Sequence, residues 1–357
     1  MPFLPLIGHQ SLRARLDEQI GRSALPASLL FHGAPGIGKQ RLALWLGQRL
    51  LCSGGMPPCG ECQHCRYAIE GVHPDLRWYF PRPRMRDSTD VALEDVAHEY
   101  AEAIAERASA QGLYARGDGS QGIFVYVARL IVQQAARTPA MARRKVFVVG
   151  DAERMVPQPS SQEAANAFLK LLEEPPADTT IILTSSEPGA LLATVRSRVV
   201  SVRVAPLAEA EMRAFLNQPA AAAAAGAGDE GAQVDDLVRL ALGAPGALLG
   251  SQDHGVVLQR ARALLEAARG GPEQLFRAAF SQGGSKARGA FSDVLDAMTV
   301  LLHERARAAA RSGDHPRATA SARAVAFVED AKRAAEGNAI PQLVSAQLLQ
   351  RLSEIGS

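Results

Sequence analysis

Short apolar runs separated by stretches of helical spacing dominate the first two hundred residues. A short apolar run bounded by turn residues is typical of a strand buried on both faces, and apolar residues three or four positions apart indicate a helix packed on the sheet. The predicted strands are Ser28–Phe31, Val146–Val149 and Thr180–Leu183, and helical patterns such as Gln40–Leu51 and Ile123–Ala136 lie between them. This order predicts an α/β domain with a parallel sheet and crossover helices.

The strand-like runs end at Val204, and the remainder of the chain has helical patterns. Pro206–Asn217 has the acidic first turn of a helix, whereas the Ala- and Gly-rich segment Pro219–Gly231 predicts a flexible surface loop. From Val234 onward the spacing is helical again. A chain of 357 residues allows two or three domains, so we expect about 150 residues of helices after the α/β domain.

Composition narrows the function classes only slightly. Hydrophobic residues make up 47% of the chain and charged residues 21%, which are ordinary values for a folded protein. A net charge of +2 does not by itself indicate nucleic-acid binding. The N-terminal residues lack the pattern of a secretory signal, and no apolar run reaches the roughly 18 residues of a membrane span. We therefore expect a cytoplasmic protein without a membrane partner.

A glycine-rich turn follows the first predicted strand and opens a helix. Gly33–Lys39 reads GAPGIGK, and this strand-to-helix context is the one in which a phosphate-binding loop is meaningful. Gly33, Gly36 and Gly38 allow backbone N–H groups to approach phosphate oxygens, and Lys39 adds a positive charge at the helix N-terminus. The alternative, a plain glycine-rich turn, fits this context less well.

The groups that would hold Mg²⁺ beside this loop are missing at two positions. The residue after Lys39 is Gln40 rather than Ser or Thr, and the second strand is followed by Gly150 rather than Asp. Asp151 comes next, and it either reaches a water or caps a helix before Met155. We therefore do not expect ATP hydrolysis, while the retained glycines and Lys39 leave nucleotide binding open.

All four cysteines lie in one short segment. Cys59, Cys62 and Cys65 form two interlocked C-x2-C spacings, and Cys52 lies upstream across a turn-rich loop. In a reducing compartment such a cluster indicates metal rather than disulfides, and four thiolates suit a tetrahedral structural Zn²⁺. Unliganded buried cysteines are the alternative. His64 could replace one thiolate, although an exposed neighbour is the favoured interpretation.

A run of arginines with neighbouring aromatic residues follows the cysteine cluster. Its members are Arg77, Trp78, Tyr79, Arg82, Arg84 and Arg86. Such a run can contact phosphates and stack on bases, but a solvated loop is the favoured interpretation. The surrounding stretch Pro81–Gln121 has no functional interpretation from sequence.

Four segments resemble the clamp-loader ATPases of bacterial DNA polymerase III. Asn166–Pro176 reads NAFLKLLEEPP, Leu183–Pro188 reads LTSSEP, Leu191–Arg198 reads LLATVRSR, and the N-terminal Leu6–Gln10 reads LIGHQ. The resemblance is strong to about residue 205, moderate to about residue 250 and only general beyond. One subunit type of that family does not hydrolyse ATP, and Gln40 and Gly150 fit that role better than they fit the family's motor subunits.

The resemblance implies a P-loop (AAA+) nucleotide-binding-like domain at residues 1–205, with a zinc module at 52–65. A small helical lid at 206–252 and an all-α collar domain at 253–357 would follow. In that family, subunits form an open ring that opens the sliding clamp and places it on primed DNA. The implied partners are the motor (gamma/tau) and delta subunits and, through the complex, the sliding clamp and primer–template DNA.

The resemblance also implies a role for Arg198. Ser197-Arg198-Val199 stands where the family has Ser-Arg-Cys, and this arginine would reach ATP bound by the neighbouring motor subunit, as an arginine finger does. Arg196 could share a strand face with it, and a pair of solvated arginines is the alternative. The lid segment Gly243–Ala247 lacks the family's γ-phosphate-contacting Arg and is interpreted as a helix–helix turn.

The leading hypothesis is a non-catalytic clamp-loader subunit. The alternative is an active AAA+ motor subunit with unusual metal ligands, which predicts ATP hydrolysis by the isolated chain. A free-standing zinc-dependent DNA-binding protein is a third class. It predicts tight DNA binding without partners, which a net charge of +2 disfavours.

Overall fold

The structure, a computed structural model, describes residues 2–85, 91–115, 121–155, 162–226, 234–249, 254–281, 288–336 and 339–355. Contacts along the backbone divide the chain into two units. The first comprises Met1–Ala221 and Gly243–Gly250, and the second comprises Ala222–Leu242 and Ser251–Ser357.

The first unit is built on a five-stranded sheet. The strands are β1 (Ser28–His32), β2 (Leu76–Tyr79), β3 (Lys145–Val149), β4 (Thr179–Ser185) and β5 (Val200–Arg203). Their order is β2-β3-β4-β1-β5, and each neighbouring pair is parallel. The carboxyl ends of all strands therefore meet at one edge, which is where open α/β sheets bind their ligands. The predicted parallel α/β sheet is confirmed.

Helices cover this sheet and supply most of the buried apolar surface around it. They are α1 (Gln10–Gly21), α2 (Lys39–Leu51), α3 (Gln63–Glu70), α4 (Leu93–Ser109), α5 (Val125–Ala135), α6 (Gln162–Glu173) and α7 (Ala193–Arg196). Two further helices follow along the chain, α8 (Glu209–Leu216) and α9 (Pro219–Ala224), and the first unit's segment ends within α9, at Ala221. Two 3₁₀ turns, Ala152–Arg154 and Pro245–Leu248, also belong to the first unit. The three predicted strands are fully buried in β1, β3 and β4, because helices pack on both faces of a parallel sheet.

Two strands, β2 and β5, were not among the predicted runs. Each is an edge strand of the sheet, and each contains exposed residues, Arg77 in β2 and Val200 and Arg203 in β5. An edge strand is open on one side and tolerates polar residues that interrupt an apolar run. The apolar pattern therefore detected the three central strands and missed the two edges.

The prediction of a flexible loop at Pro219–Gly231 is wrong for its first half. Pro219–Ala224 forms α9, and Ala221 is fully buried. Alanine has the highest helix propensity of all residues, so a run of alanines after an N-terminal proline favours a helix over an open loop. Residues 227–231 lie outside the described residues.

The second unit is helical throughout its described residues. Its helices are α10 (Val234–Ala241), α11 (His254–Ala267), α12 (Pro272–Phe280), α13 (Arg288–Arg311), α14 (His315–Glu336) and α15 (Pro341–Glu354). Their buried core includes Leu295, Met298, Leu302, Val328 and Leu349. The predicted all-α C-terminal part is confirmed, while the division into a lid at 206–252 and a collar at 253–357 stays a prediction. None of the described helices is long and apolar enough to cross a membrane.

The carboxylate of Asp75 fixes the backbone that leads into β3. Its two oxygens accept hydrogen bonds from the backbone N–H groups of Ala140, Met141 and Ala142 at 2.6–2.8 Å. Burial acts to raise the pKa of Asp75, but the three N–H donors outweigh burial and lower the pKa below its ordinary value. The charged form of Asp75 therefore stabilises the fold.

We predict that Asp75→Asn lowers the free energy of unfolding by about 1–3 kcal/mol at pH 7, because an amide NH₂ replaces one acceptor oxygen. Since the folded-state pKa is lowered, this stabilisation is complete above the unfolded pKa of about 4 and is lost as pH falls through the folded pKa. Urea denaturation of both proteins should show their difference narrowing below about pH 4. A difference that stayed constant down to pH 3 would contradict this account.

Candidate functional site

A cavity of about 160 Å³ opens at the carboxyl edge of the sheet, beside the glycine-rich loop. Its apolar wall includes Leu6, Ile7, Leu207, Phe215 and Leu249. Its charged side chains are Lys39, Arg41, Arg107, Asp151 and Arg154. An apolar wall beside converging polar groups is the usual composition of a small-molecule site.

The glycine-rich loop adopts a conformation that requires its glycines. Gly36 and Gly38 have φ values of 75° and 91°, in the left-handed region that side chains disfavour. A Cβ atom on Gly36 would also lie only 3.0 Å from the backbone nitrogen of Ala247, and the N–H of Gly246 donates to the carbonyl of Gly36 at 2.9 Å. The segment Gly243–Ala247 is thus a turn against the loop, as its sequence predicts.

Lys39 begins α2 and is buried beneath the loop. Its Nζ donates to the carbonyl oxygens of Gly33 and Ala34 at 3.0 and 2.8 Å and to Oγ of Ser186 at 2.9 Å. Ser186 follows the carboxyl end of β4, and its backbone N–H donates to Glu153 at 3.0 Å. These bonds hold the ammonium group of Lys39 inside the curve of the loop.

The side chain of Gln40 fills the space beside Gly150. A Cβ atom placed on Gly150 would lie 2.4 Å from Cδ and Oε1 of Gln40, well inside contact distance. In working P-loop ATPases the two corresponding positions carry the hydroxyl and the carboxylate that hold Mg²⁺. Here the amide of one residue fills the space that a side chain of the other would need.

Aromatic and acidic groups hold the Gln40 amide in place. Its Oε1 accepts from Nε1 of Trp78 at 3.0 Å and from the hydroxyl of Tyr114 at 3.3 Å, while its Nε2 donates to Oδ2 of Asp151 at 3.2 Å. The helix-capping interpretation of Asp151 is wrong, because its side chain makes no cap hydrogen bond and instead accepts from Gln40. Sequence reasoning missed Trp78 and Tyr114 in this role.

Arg107, at the end of α4, lies behind this amide. The carbon of its guanidinium is 3.3 Å from the ring centroid of Phe80, 3.8 Å from Tyr114 and 4.7 Å from Trp78. Burial lowers the pKa of Arg107 below its ordinary value. The stretch Pro81–Gln121, which had no interpretation from sequence, therefore brings a cation and an aromatic ring to the wall of the cavity.

Arg198 lies away from this cavity. Arg198 lies in the turn before β5, and the first residue of that strand, Val200, pairs with Leu29 near the amino end of β1. The glycine-rich loop begins at Gly33, after the carboxyl end of β1, so about four residues of strand, or about 13 Å, separate the start of β5 from the loop. Arg198 Nε donates to Oε2 of Glu173 at 2.9 Å, and both side chains are partly exposed, at 30% and 57%.

The prediction that Arg196 shares a strand face with Arg198 is wrong. Arg196 ends helix α7, and the strand begins only at Val200. The backbone N–H groups of Arg196 and Ser197 donate to the carbonyls of Leu192 and Ala193, which is a helical pattern. The period of two that holds in a strand therefore does not apply to these two arginines.

The four cysteines come together between α2 and α3. Their Sγ atoms all lie within 4.8 Å of one another, and three of the separations are 3.5–3.9 Å. A tetrahedral zinc with Zn–S bonds of about 2.3 Å requires sulfur atoms about 3.8 Å apart, so the donor set and spacing of Cys52, Cys59, Cys62 and Cys65 fit that ion.

Backbone donors surround these sulfur atoms. The N–H groups of Gly54 and Cys59 point to Sγ of Cys52 at 3.3 and 3.4 Å, and the N–H of Cys65 points to Sγ of Cys62 at 3.4 Å. Burial opposes ionisation of Cys62, but donors from Cys65 and Ser53 outweigh it and lower its pKa to about 5. Such donors favour the thiolate form that binds metal.

His64 contacts His73 and is not part of the sulfur cluster. It is half-buried rather than exposed, and its Nδ1 lies 3.0 Å from Nε2 of His73. The cluster of metal-ligating side chains in the described ranges contains the four cysteines and not this histidine.

The arginine run does not form a free basic patch in the described residues. Arg82 pairs with Glu99 at 3.1 Å, and Arg84 lies over the ring of Phe124 at 6.0 Å. Trp78 and Tyr79 are buried in β2 and cannot stack on bases. Arg86 lies outside the described residues. Arg77 and Arg84 are exposed, in agreement with the solvated interpretation, whereas Arg82, Trp78 and Tyr79 are held in internal contacts, and residues 76–79 form a strand rather than a loop.

The fold and the cavity define a P-loop nucleotide-domain protein. In this protein the amide of Gln40 fills the position where P-loop ATPases hold Mg²⁺. Residues 8–208 match the sequence profile of the family described as "DNA polymerase III, delta subunit". This match covers more than half of the chain, and the chain belongs to that family.

Curated relatives agree with the family. The chain is 31% identical over 251 residues to DNA polymerase III subunit delta' of Pseudomonas aeruginosa, which covers 68% of this chain and 60% of the relative. It is 28% identical to subunit delta' of Bacillus subtilis, covering 54% of this chain and 46% of the relative. It is 25% identical to subunit tau of Salmonella typhimurium, covering 59% and 26%. The matched region thus spans less than two thirds of each of these relatives.

We predict that Gly150→Ala destabilises the protein by about 1–3 kcal/mol, because the added methyl group would overlap the Gln40 amide. In a Gln40→Ala background the same substitution should cost much less, since the space is then free. Chemical denaturation of the four proteins of this cycle measures the coupling. An equal cost in both backgrounds would show that the two residues do not compete for one space.

Proposed function

We propose that this chain is a non-hydrolysing subunit of the DNA polymerase III clamp loader in the cytoplasm. It assembles with the motor (gamma/tau) and delta subunits into an ATP-driven ring that opens the sliding clamp and loads it on primer–template DNA. Its own glycine-rich loop does not turn over ATP. Its Arg198 acts instead on ATP bound by a neighbouring motor subunit.

The proposal that this chain does not hydrolyse ATP rests on one observation: the Gln40 amide fills the space that a side chain at position 150 would need. Phosphoryl transfer in P-loop proteins depends on Mg²⁺ to neutralise charge on the β- and γ-phosphates. The Gln40 amide stands in place of the hydroxyl, and its oxygen already accepts hydrogen bonds from Trp78 and Tyr114. No carboxylate fits at position 150 beside this amide. An active motor subunit with unusual metal ligands, the alternative function, would need another group to hold Mg²⁺ in this space.

Support for the trans role comes from the position of Arg198. It precedes β5, at the amino edge of a parallel sheet, so it is remote from its own loop at the carboxyl edge. Two large apolar side chains near it in sequence, Leu192 and Val200, are 52% and 50% exposed. Exposed apolar residues around a charged group favour a protein interface over a purely solvated surface. Glu173 holds the guanidinium until a partner phosphate replaces it.

The cysteine cluster is proposed to bind one structural zinc ion. Cys52 directly follows α2, the helix that begins with Lys39, and Cys62 and Cys65 lie at the start of α3. The ion would join the ends of these two packed helices with four sulfur ligands and leave no open coordination position for catalysis.

We predict that Arg198→Ala leaves folding and ring assembly intact but lowers ATP hydrolysis at the interface it serves by about a thousandfold. Total ATPase of the reconstituted complex falls by the share of that one site, and clamp loading slows. Steady-state ATPase and clamp-loading assays on the assembled complex measure both.

Arg196→Ala is the matched control, because Arg196 is equally charged, exposed and only two residues away. It should leave both rates unchanged. Wild-type rates for the Arg198→Ala complex would rule out the finger, and ATP hydrolysis by the isolated wild-type chain would favour the motor-subunit alternative.

We predict about one zinc ion per chain by elemental analysis of the purified protein. The double substitution Cys59→Ser with Cys62→Ser should remove the ion and lower the melting temperature, because two thiolates cannot hold zinc as four do. His64→Ala should keep the full zinc content. Pure wild-type protein without metal would eliminate the zinc assignment.

A further inference from the structure

A basic surface lies at one end of the second unit, where helix α13 ends and helix α14 begins. We call it the hairpin surface, and its members are Arg305, Arg307, Arg311 and Arg317. Arg305 is half-buried, and the other three arginines are exposed. Only residues 312–314 separate the two helices, so all four arginines lie within about two helical turns of the connection. The non-hydrolysing role gives this surface no function.

The hairpin surface has no counterions from the described parts of the chain. None of its four guanidinium groups forms an ion pair or a hydrogen bond with a described residue, and Nη1 of Arg305 is buried in that unbonded state. Elsewhere in the same unit, Arg277 pairs with Glu273 at 2.8 Å and Arg333 pairs with Asp330 at 2.5 Å. The missing pairs are therefore a property of this surface and not of the whole unit.

Like charges surround Arg305. Burial lowers its pKa below the ordinary value, and the neighbouring Arg269 and Arg317 lower it further, while Glu266 acts in the opposite direction. Asp314 does not compensate through its Oδ1, because this oxygen accepts a hydrogen bond from the backbone N–H of Arg317 at 3.1 Å. An anion bound at the hairpin surface would relieve the repulsion among these arginines.

The residue types at the hairpin surface favour the phosphate backbone of duplex DNA as that anion. A guanidinium presents several N–H donors in one plane, which matches the oxygens of a phosphate. Arg307 and Arg311 are four residues apart, so they share one face of α13 and can contact the same strand. Positions 301–323 contain no Phe, Tyr or Trp that could stack on unpaired bases. The surface can therefore hold phosphates but offers no aromatic platform for a single strand.

We propose that the hairpin surface of this chain binds the phosphate backbone of duplex DNA directly and without sequence preference. The small net charge of +2 does not oppose this, because the backbone contribution depends on how many phosphates the local cations neutralise. We expect a Kd for the isolated chain in the range of about 10⁻⁴–10⁻⁶ M at physiological salt, as for other non-specific sites.

This inference is independent of the non-hydrolysing role and of Arg198, which lies in the first unit. Binding is measured on the isolated full chain without nucleotide, so ATP hydrolysis by a ring is not a readout. A negative result would leave the proposed function untouched, and a failure of the proposed function would leave this surface available to DNA.

The experiment is fluorescence anisotropy of a labelled DNA duplex titrated with the full chain at several salt concentrations. The triple variant Arg307→Gln, Arg311→Gln, Arg317→Gln should weaken binding at low salt by about tenfold or more. It should also reduce the slope of log K against log salt by about two to three, because each duplex phosphate contact contributes about 0.9. Arg305 is left unchanged, since its half-buried side chain also takes part in packing.

The matched control is the triple variant Arg262→Gln, Arg277→Gln, Arg333→Gln. These arginines are exposed, belong to the second unit and pair with carboxylates, and their loss changes the net charge by the same amount. The control should bind the duplex within about twofold of wild type. An equal loss of affinity in both triple variants would assign the effect to net charge and overturn the proposal.

Two further probes decide what the hairpin surface binds. The same DNA as a single strand should bind more weakly than the duplex, and polyglutamate should compete poorly. No duplex binding by the wild-type chain at low salt, tighter binding of the single strand, or binding of polyglutamate alone would each overturn the proposal. Thermal melting verifies that the variants fold. If the hairpin triple variant does not, the double variant Arg307→Gln, Arg311→Gln replaces it, and an unchanged salt slope contradicts the proposal.

Discussion

The amide of Gln40 lies in the space that a side chain at position 150 would require, and much of the candidate site depends on this one steric constraint. Substituting either position alone cannot restore a metal site, because a carboxylate at 150 would overlap the amide and a hydroxyl at 40 would still lack its carboxylate partner. Trp78 and Tyr114 reinforce the constraint with hydrogen bonds to the same amide. The residues that replace the usual metal ligands are therefore packed against one another and hydrogen-bonded within the protein.

The polarity of the parallel sheet separates the two charges that ATP chemistry would use. Lys39 lies at the carboxyl edge and is bonded to the carbonyls of its own loop, while Arg198 lies at the amino edge and pairs with Glu173. Because β5 runs from the amino edge to the carboxyl edge, the length of that strand separates Arg198 from its own loop. A subunit with this arrangement can serve a neighbour's nucleotide only through an interface between chains.

Local features of the sequence predicted a large part of this structure. The glycine-rich loop, the missing metal ligands and the cysteine spacing each lie within a few residues, so short-range patterns suffice to find them. The central strands were found for the same reason. Trp78 and Tyr114 lie 38 and 74 residues from Gln40, and only the folded sheet brings them together. The glycine at position 150, which leaves room for the Gln40 amide, is the sequence signal that could have pointed to this packing.

The most direct measurement of the central claim is a cryo-EM structure of the reconstituted ring with Mg²⁺ and a non-hydrolysable ATP analogue. The account predicts that Arg198 has left Glu173 and lies within hydrogen-bond distance of the terminal phosphate on the adjacent motor subunit. It also predicts no Mg²⁺ beside Gln40 in this chain. Arg198 still paired with Glu173 at a closed interface, or Mg²⁺ coordinated next to Gln40, would contradict it.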